Sequence, residues 1–413
     1  MSLDVNKRKM SMLLLVLYPI IGVYSFPFLF GSWGDFLFIV LIILDFIRNQ
    51  RKIIFGLPMH YGFYWGYLSI SYLVLSHFKP ASFIPGGLSF FVFSLILGYV
   101  IKYFDYRSFK KYYRVVFFIT ALIFMLQELS YIIVGHRFSM LLPYGTVVGG
   151  TPVTEIIQQN ISGDRSSSIF REPAHFAQFV LPLLAMELFD KEGIGRKMNK
   201  YALIIILLLL FLRSGNGIAG LLVLTVFKLA NVILYEKNQY KLIGIIFFST
   251  FVVIGMSYYM STETGELLLY RTQELSVDEN SNSFIRLYRG YYVYNILPPA
   301  NKVFGISPDD LPSVIKNSSV SFLFSGENDT YYNGIHYVLL YSGIIGLLLI
   351  LLVYLGLFRH NSPLGKSVVL LLLGMALVAG VYGSYTMLCC TSLSESEKRL
   401  RLRGIKNAKY EIN

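Results

Sequence analysis

Apolar stretches long enough to cross a bilayer recur from one end of this chain to the other, and that recurrence restricts the fold more than any motif does. A spanning helix needs roughly 20 mainly apolar residues, and backbone in hydrocarbon must satisfy its own hydrogen bonds, so packed helices are the expected solution. The candidate spans are Met10 to Phe30, then 35–48, 54–76, 84–104, 113–134, 171–189, 201–212, 216–235, 242–260, 334–358 and 367–388. Lys7-Arg8-Lys9 before the first run could open a signal peptide, but no small-x-small cleavage site follows, so the run is read as an uncleaved span. With 55% hydrophobic and 15% charged residues, the expectation is an all-α polytopic membrane helix bundle of about 11–12 spans.

Basic residues set the orientation. With the N-terminus inside, alternate loops collect Arg48, Arg51 and Lys52, then Lys102, Arg107, Lys110, Lys111 and Arg114, then Lys191, Arg196, Lys197 and Lys200, with Arg359 and Lys366 on that same side. The formal charge of +12 is then chiefly a topology signal. A nucleic-acid partner is not expected, because these cations are scattered along one membrane face and form no continuous groove. The tail, with Lys398, Arg399, Arg401, Arg403, Lys406 and Lys409, is basic enough to belong inside, which requires the segment 367–391, broken by Gly374, Gly380 and Gly383, to go part way across and return. The expected organisation is a bundle over 1–260 with an outer loop at 135–170, a large outer loop with short helices at 261–333, C-terminal helices at 334–391 and an inner tail at 392–413.

The outer face has a different chemistry. Arg137, Arg165, Arg171, Arg213, Arg271, Arg286 and Arg289 all fall there, against the topology rule, and arginine's planar fork suits phosphate and carboxylate. Arg171-Glu172-Pro173-Ala-His175 puts three ionisable groups at the mouth of an apolar helix, where charge costs roughly 2.5–3.5 kcal/mol per group. Arg286 and Arg289 lie at i and i+3 of an aromatic helix candidate, and His336 opens the span 334–358 on the same face.

Other chemistries lack residues. The six histidines are dispersed, and Glu172-x-x-His175 is one copy of a pattern that needs a partner to hold two metals, so no metal site and no cofactor are expected. No P-loop, dinucleotide fingerprint or nucleophile elbow occurs. Cys389 and Cys390 are adjacent and form no disulfide framework.

Four segments in order, 165–179 (Arg-Ser-Ser-Ser-Ile-Phe-Arg-Glu-Pro-Ala-His-Phe-Ala-Gln-Phe), 211–222 (Phe-Leu-Arg-Ser-Gly-Asn-Gly-Ile-Ala-Gly-Leu-Leu), 286–292 (Arg-Leu-Tyr-Arg-Gly-Tyr-Tyr) and Tyr332-Asn-Gly-Ile-His336 followed by Ser342-Gly-Ile-Ile-Gly, resemble the Wzy-type O-antigen and capsule repeat-unit polymerases. The resemblance covers about residues 160–360 and places the chain beside the O-antigen ligases. It implies a GT-C-type, metal-independent glycosyltransferase of the bacterial inner membrane, with its active site facing the periplasm or exterior. The substrate it implies is undecaprenyl-diphosphate-linked oligosaccharide, with a chain-length regulator and a flippase as further partners.

A diphosphate leaving group needs cationic stabilisation, which on this reading comes from Arg171, Arg286 and Arg289, helped by Arg165 and Arg213. The acceptor hydroxyl needs a general base on the wet face: His336 first, with Glu172 and His175 as alternatives. Counting back from Gly343, the histidine of the ligase pattern falls at Tyr332, one helical turn before His336. The competing functions are ligation of finished glycan to another acceptor, and transport or flipping of the lipid-linked unit. Against the carrier stand the absence of an evident internal repeat and the scarcity of deep charge, Lys228 being the main case.

Overall fold

The computed structural model describes residues 2–26, 31–48, 59–75, 80–148, 150–163, 165–189, 199–235, 287–324, 332–381 and 383–410. The candidate span at 242–260, Arg271 and Arg286 lie outside the described residues.

The described chain is mostly helical. Helix α1 (Ser2–Ile21) is followed by a two-stranded antiparallel ribbon, β1 (Ser25–Phe26) and β2 (Gly31–Ser32), and then by α2 (Trp33–Arg48). The apolar run that was expected to continue as helix to Phe30 stops at Ile21: Gly22 N–H closes the last turn on the Tyr18 carbonyl at 2.7 Å, a side chain at Gly22 would collide with that carbonyl, and the chain turns into the ribbon. Asp35 fixes that turn. Its carboxylate accepts from Tyr18 Oη at 2.7 Å and from the backbone N–H and hydroxyl of Ser32 at 2.9 Å each.

Next come α3 (Met59–Leu75), α4 (Pro80–Tyr103) and α5 (Tyr106–Val134). Helix α5 begins seven residues before its apolar run, since Asp105 caps it by accepting from Ser108 N–H, and it ends where Gly135 takes φ 77°. A short helix that the sequence did not announce, α6 (Val153–Ser162), lies between α5 and the next apolar helix. Helix α7 (Pro173–Phe189) is apolar on all sides and packs against α5, α8 (Lys200–Phe211) and α9 (Gly215–Tyr235). A helix of that character belongs at the centre of a bundle. At its C-terminal end the buried Glu187 takes a bidentate pair from Arg114 at 2.7 and 2.8 Å and a third bond from Asn199. Lys228 reaches the Leu188 carbonyl at this same end.

The described part of the large loop holds α10 (Arg289–Ile296), α11 (Pro299–Phe304), α12 (Leu311–Lys316) and a 3-10 turn at Ser321–Phe324. It leads to α13 (Gly334–Phe358), which is kinked at Gly343 (φ 65°, ψ −170°). The kink frees carbonyls that a straight helix would occupy. Leu340 O accepts from Ile306 N–H at 2.9 Å and Ser342 O from Tyr67 Oη at 2.7 Å, so the loop and α3 replace the lost helical bonds.

Helices α14 (Pro363–Val378) and α15 (Tyr385–Tyr410) pack antiparallel about a turn at 379–384. Asn361 bonds the carbonyl and hydroxyl of Ser394 at 2.8 Å, and Ser362 bonds Glu397 at 2.8 Å. The chain thus doubles back on itself between α14 and α15, but Gly374 sits inside α14 and breaks nothing. The expected tail boundary at 391 falls within α15, and Ser392, Leu393 and Ser394 are core residues.

Among the described residues three helices, Tyr106–Val134, Gly215–Val232 and Gly334–Phe358, are long and apolar enough to cross a membrane, and shorter apolar helices accompany them. Helix α5 turns Ile119, Leu122, Leu129, Ile132 and Ile133 outward, and α13 does the same with Leu348 and Leu352. Such outward apolar faces are costly in water and natural in lipid, so this is a membrane protein.

Candidate functional site

Two polar groups stand at the end of the bundle where α5 finishes and α7 and α13 begin. The first is the segment 165–172, held by the last turns of α5. Gln127 bonds both backbone groups of Ser168, at 2.8 and 2.9 Å, while Glu128 accepts from the backbone N–H and hydroxyl of Ser166, at 3.2 and 2.6 Å. Ser168 is thereby held at φ 57°, a left-handed conformation that a serine adopts only when its surroundings over-determine it. The buried Arg137 completes the scaffold, bonding Gly163 O at 2.8 Å and Ser166 Oγ at 3.1 Å beneath the Tyr131 ring. Its role is to hold this loop in place.

The scaffold presents the expected site residues. Helix α7 starts at Pro173, so Arg171 lies in the bend before it and is not part of the helical face that carries His175. Arg171 is half-buried, with one guanidinium nitrogen 3.4 Å from Val148 O and Nε 3.7 Å from the Glu172 carboxylate. That Nε is shielded from solvent and has no hydrogen-bond partner among the described residues. Glu172 and His175 are exposed. Arg165 donates to the backbone carbonyl of Arg213 at 3.0 Å, and Arg213 turns the chain between α8 and α9 at φ 49°. The structure thus joins Arg165 to Arg213 and Arg171 to Glu172. Sequence reasoning passed over Ser167 and Asn216, whose buried side-chain oxygens also lack partners among the described residues.

The second group surrounds the mouth of α13. Asn333 caps the helix by accepting from His336 N–H at 2.7 Å and clamps α14 by donating to Leu377 O at 2.8 Å. His336, expected on the wet face, is instead wholly buried, edge-on to Tyr291 with ring centroids 4.4 Å apart. Both of its ring nitrogens lack hydrogen-bond partners among the described residues. Arg289, the first residue of α10, is also fully buried, with its guanidinium 4.8 Å from the Phe324 ring and 5.8 Å from the Tyr332 ring. Gly290 brings the two together, since a Cβ there would overlap the His336 ring. Tyr332, at the position where the ligase pattern places histidine, serves here as a face for the guanidinium.

An aromatic floor connects the two groups. Phe170 stacks between Phe176 and Phe179 with centroids 5.0 and 5.1 Å away, and Phe179 meets Tyr385 at 6.0 Å. Tyr385 opens α15 directly after the turn whose Ala379 carbonyl accepts from Gly334 N–H at 2.9 Å. Chemically, the end of the bundle offers several guanidinium groups and an imidazole whose nitrogens have no partner among the described residues, set over a buried aromatic layer. That combination suits an anionic headgroup attached to a lipid. No protein-family model and no curated protein matches the sequence.

Proposed function

We propose that this protein is a polytopic GT-C-type glycosyltransferase of the bacterial inner membrane. On this reading it polymerises undecaprenyl-diphosphate-linked repeat units into O-antigen, capsule or exopolysaccharide on the outer face. The observation that carries the reading is the burial of Arg289 and His336 side by side, bridged by Gly290, at the mouth of a 25-residue apolar helix. An arginine fork suits a diphosphate and an imidazole can accept a proton, so this pair offers both groups that the reaction needs.

In the proposed reaction Arg289 and Arg171, with Arg286, Arg165 and Arg213, hold the donor diphosphate. His336 takes the proton of the acceptor hydroxyl, with Glu172 and His175 as the exposed alternatives. The acceptor oxygen attacks the anomeric carbon of the donor glycan, and the bond from that carbon to the diphosphate oxygen breaks. Undecaprenyl diphosphate leaves with the electron pair, its growing negative charge met by the guanidinium groups. The polyprenyl chain lies in the surrounding lipid, against outward apolar residues such as Leu348 and Leu352 of α13. Because Tyr291 covers the imidazole, the acceptor reaches His336 only when α10 shifts away from α13.

The test is reconstitution of the purified protein in liposomes with lipid-linked repeat units and no ATP. A ladder of longer glycans is expected. Translocation between leaflets without a ladder would overturn the proposal in favour of a carrier, and transfer only to a different acceptor would make the protein a ligase.

A further inference from the structure

The opposite end of the bundle carries a cavity of about 1120 Å³ that the proposed reaction does not use. It lies where α4 ends, α5 begins and the α13–α14 connection meets α15. Its wall includes Arg8, Lys102, Arg107, Lys110, Lys111, Arg114 and Arg399 against two carboxylates, Asp105 and Glu397. Both carboxylates are already engaged, Asp105 as the cap of α5 and Glu397 with the Ser362 hydroxyl.

The cations divide into two sets. Arg114 and Lys110 are drawn back to Glu187, Lys102 lies 3.7 Å from Asp45, and Arg399 bonds Glu395 at 2.9 Å. Arg8, Arg107 and Lys111 are exposed at the cavity and pair with no carboxylate among the described residues. The basic residues of α5 fall at 107, 110, 111 and 114, the i, i+3, i+4, i+7 spacing that stacks them along one helix face. They do so in the first turns of a 29-residue helix whose first turn has no acidic residue. Like charges one turn apart repel, and cations at a helix N-terminus oppose its dipole. Ordinary topology-setting charge would be spread over solvent, whereas this charge converges on one half-open cavity. Phe118, Phe189 and Tyr201 give that space an apolar side.

We infer that this cavity binds a phosphate-bearing anion whose apolar portion lies against Phe118, Phe189 and Tyr201. The shared chemistry is a phosphate held by Arg8, Arg107 and Lys111, and its source is either a lipid headgroup of that leaflet or a soluble phosphate compound. The inference goes beyond the glycosyl-transfer reading and stands independently of it.

The experiment follows thermal unfolding of the full chain in nanodiscs. Phosphatidylcholine discs serve as the reference, against discs with added phosphatidylglycerol and against phosphatidylcholine discs titrated with inorganic phosphate. A ligand of the folded state raises the unfolding midpoint in proportion to its occupancy. Stabilisation by phosphatidylglycerol alone assigns the site to a lipid headgroup; stabilisation by inorganic phosphate assigns it to a soluble compound. The double variant Arg107→Gln/Lys111→Gln should weaken the apparent affinity at least about tenfold, since each lost contact is a charge-assisted bond. Arg48→Gln/Arg359→Gln, which removes the same charge from the same end but outside the cavity, should leave it within about twofold. No stabilisation in either arm, or equal losses in the two double variants, would overturn the inference.

Discussion

The imidazole of His336 occupies the space that a Cβ on Gly290 would need, so the first turn of α10 and the first turn of α13 meet without a side chain between them. The neighbouring Arg289 is thereby set into the aromatic box of Phe324 and Tyr332. Adding one methyl group should separate them. Gly290→Ala is expected to cost about 1–3 kcal/mol through overpacking and to reduce glycan polymerisation by more than about tenfold. Gly66→Ala, where a Cβ meets open space, should leave both unchanged. Thermal unfolding and the ladder assay read the two effects.

The kink in α13 depends on Gly343, since an alanine there would take φ 65° and place its Cβ against the Val303 carbonyl. Gly343→Ala should lose at least about 1–3 kcal/mol and release the segment 299–306 from the helix. Limited proteolysis would show this as faster cleavage at 299–306. Tyr67→Phe, which removes the hydroxyl shared between Ser342 O and, more weakly, Phe304 O, should cost only about 1 kcal/mol.

At the other end, Glu187 has a side chain with no exposure and accepts from Arg114 and Asn199. Glu187→Ala should destabilise the protein by about 3 kcal/mol, because it strands the Arg114 guanidinium beside a vacated buried site. The measurement is the amount of folded protein recovered from membranes and its unfolding midpoint.

Both termini should lie on one side. The basic part of α15 is bound to the α13–α14 connection, with Lys398 donating to Gly356 O at 2.7 Å and Arg401 to Asn361 O. A C-terminal fluorescent-protein fusion, which matures only in the cytoplasm, should therefore fluoresce, and a C-terminal alkaline phosphatase fusion should be inactive.

The bodies of the helices were legible from their long apolar runs, as was the start of α13 at Gly334. The starts of α5 and α14 were not: Asp105 and Ser362-Pro363 cap these helices before the apolar runs at 113 and 367 begin. The stop at Ile21 was not legible, because Gly22 and the ribbon depend on a distant contact in which Thr146 O accepts from Ser25 N–H. Helix α6 was missed for a related reason, being short and amphipathic within a polar loop. Of the site, the grouping of arginines and histidines at one end could be read from charge alternation. The burial of Arg289 could not, since its aromatic partners stand 35 and 43 residues further along the chain. The closure of His336 by Gly290 is likewise a tertiary fact.

The most direct measurement of the central claim is polymer formation by the purified protein carrying Arg289→Lys or Arg171→Lys, reconstituted with undecaprenyl-diphosphate-linked repeat units. Lysine keeps the charge but loses the planar fork. If these arginines hold the diphosphate, each variant should insert and fold as the parent does yet form ladders slower by at least about a hundredfold. Parental chain length and rate in both variants would contradict the assignment.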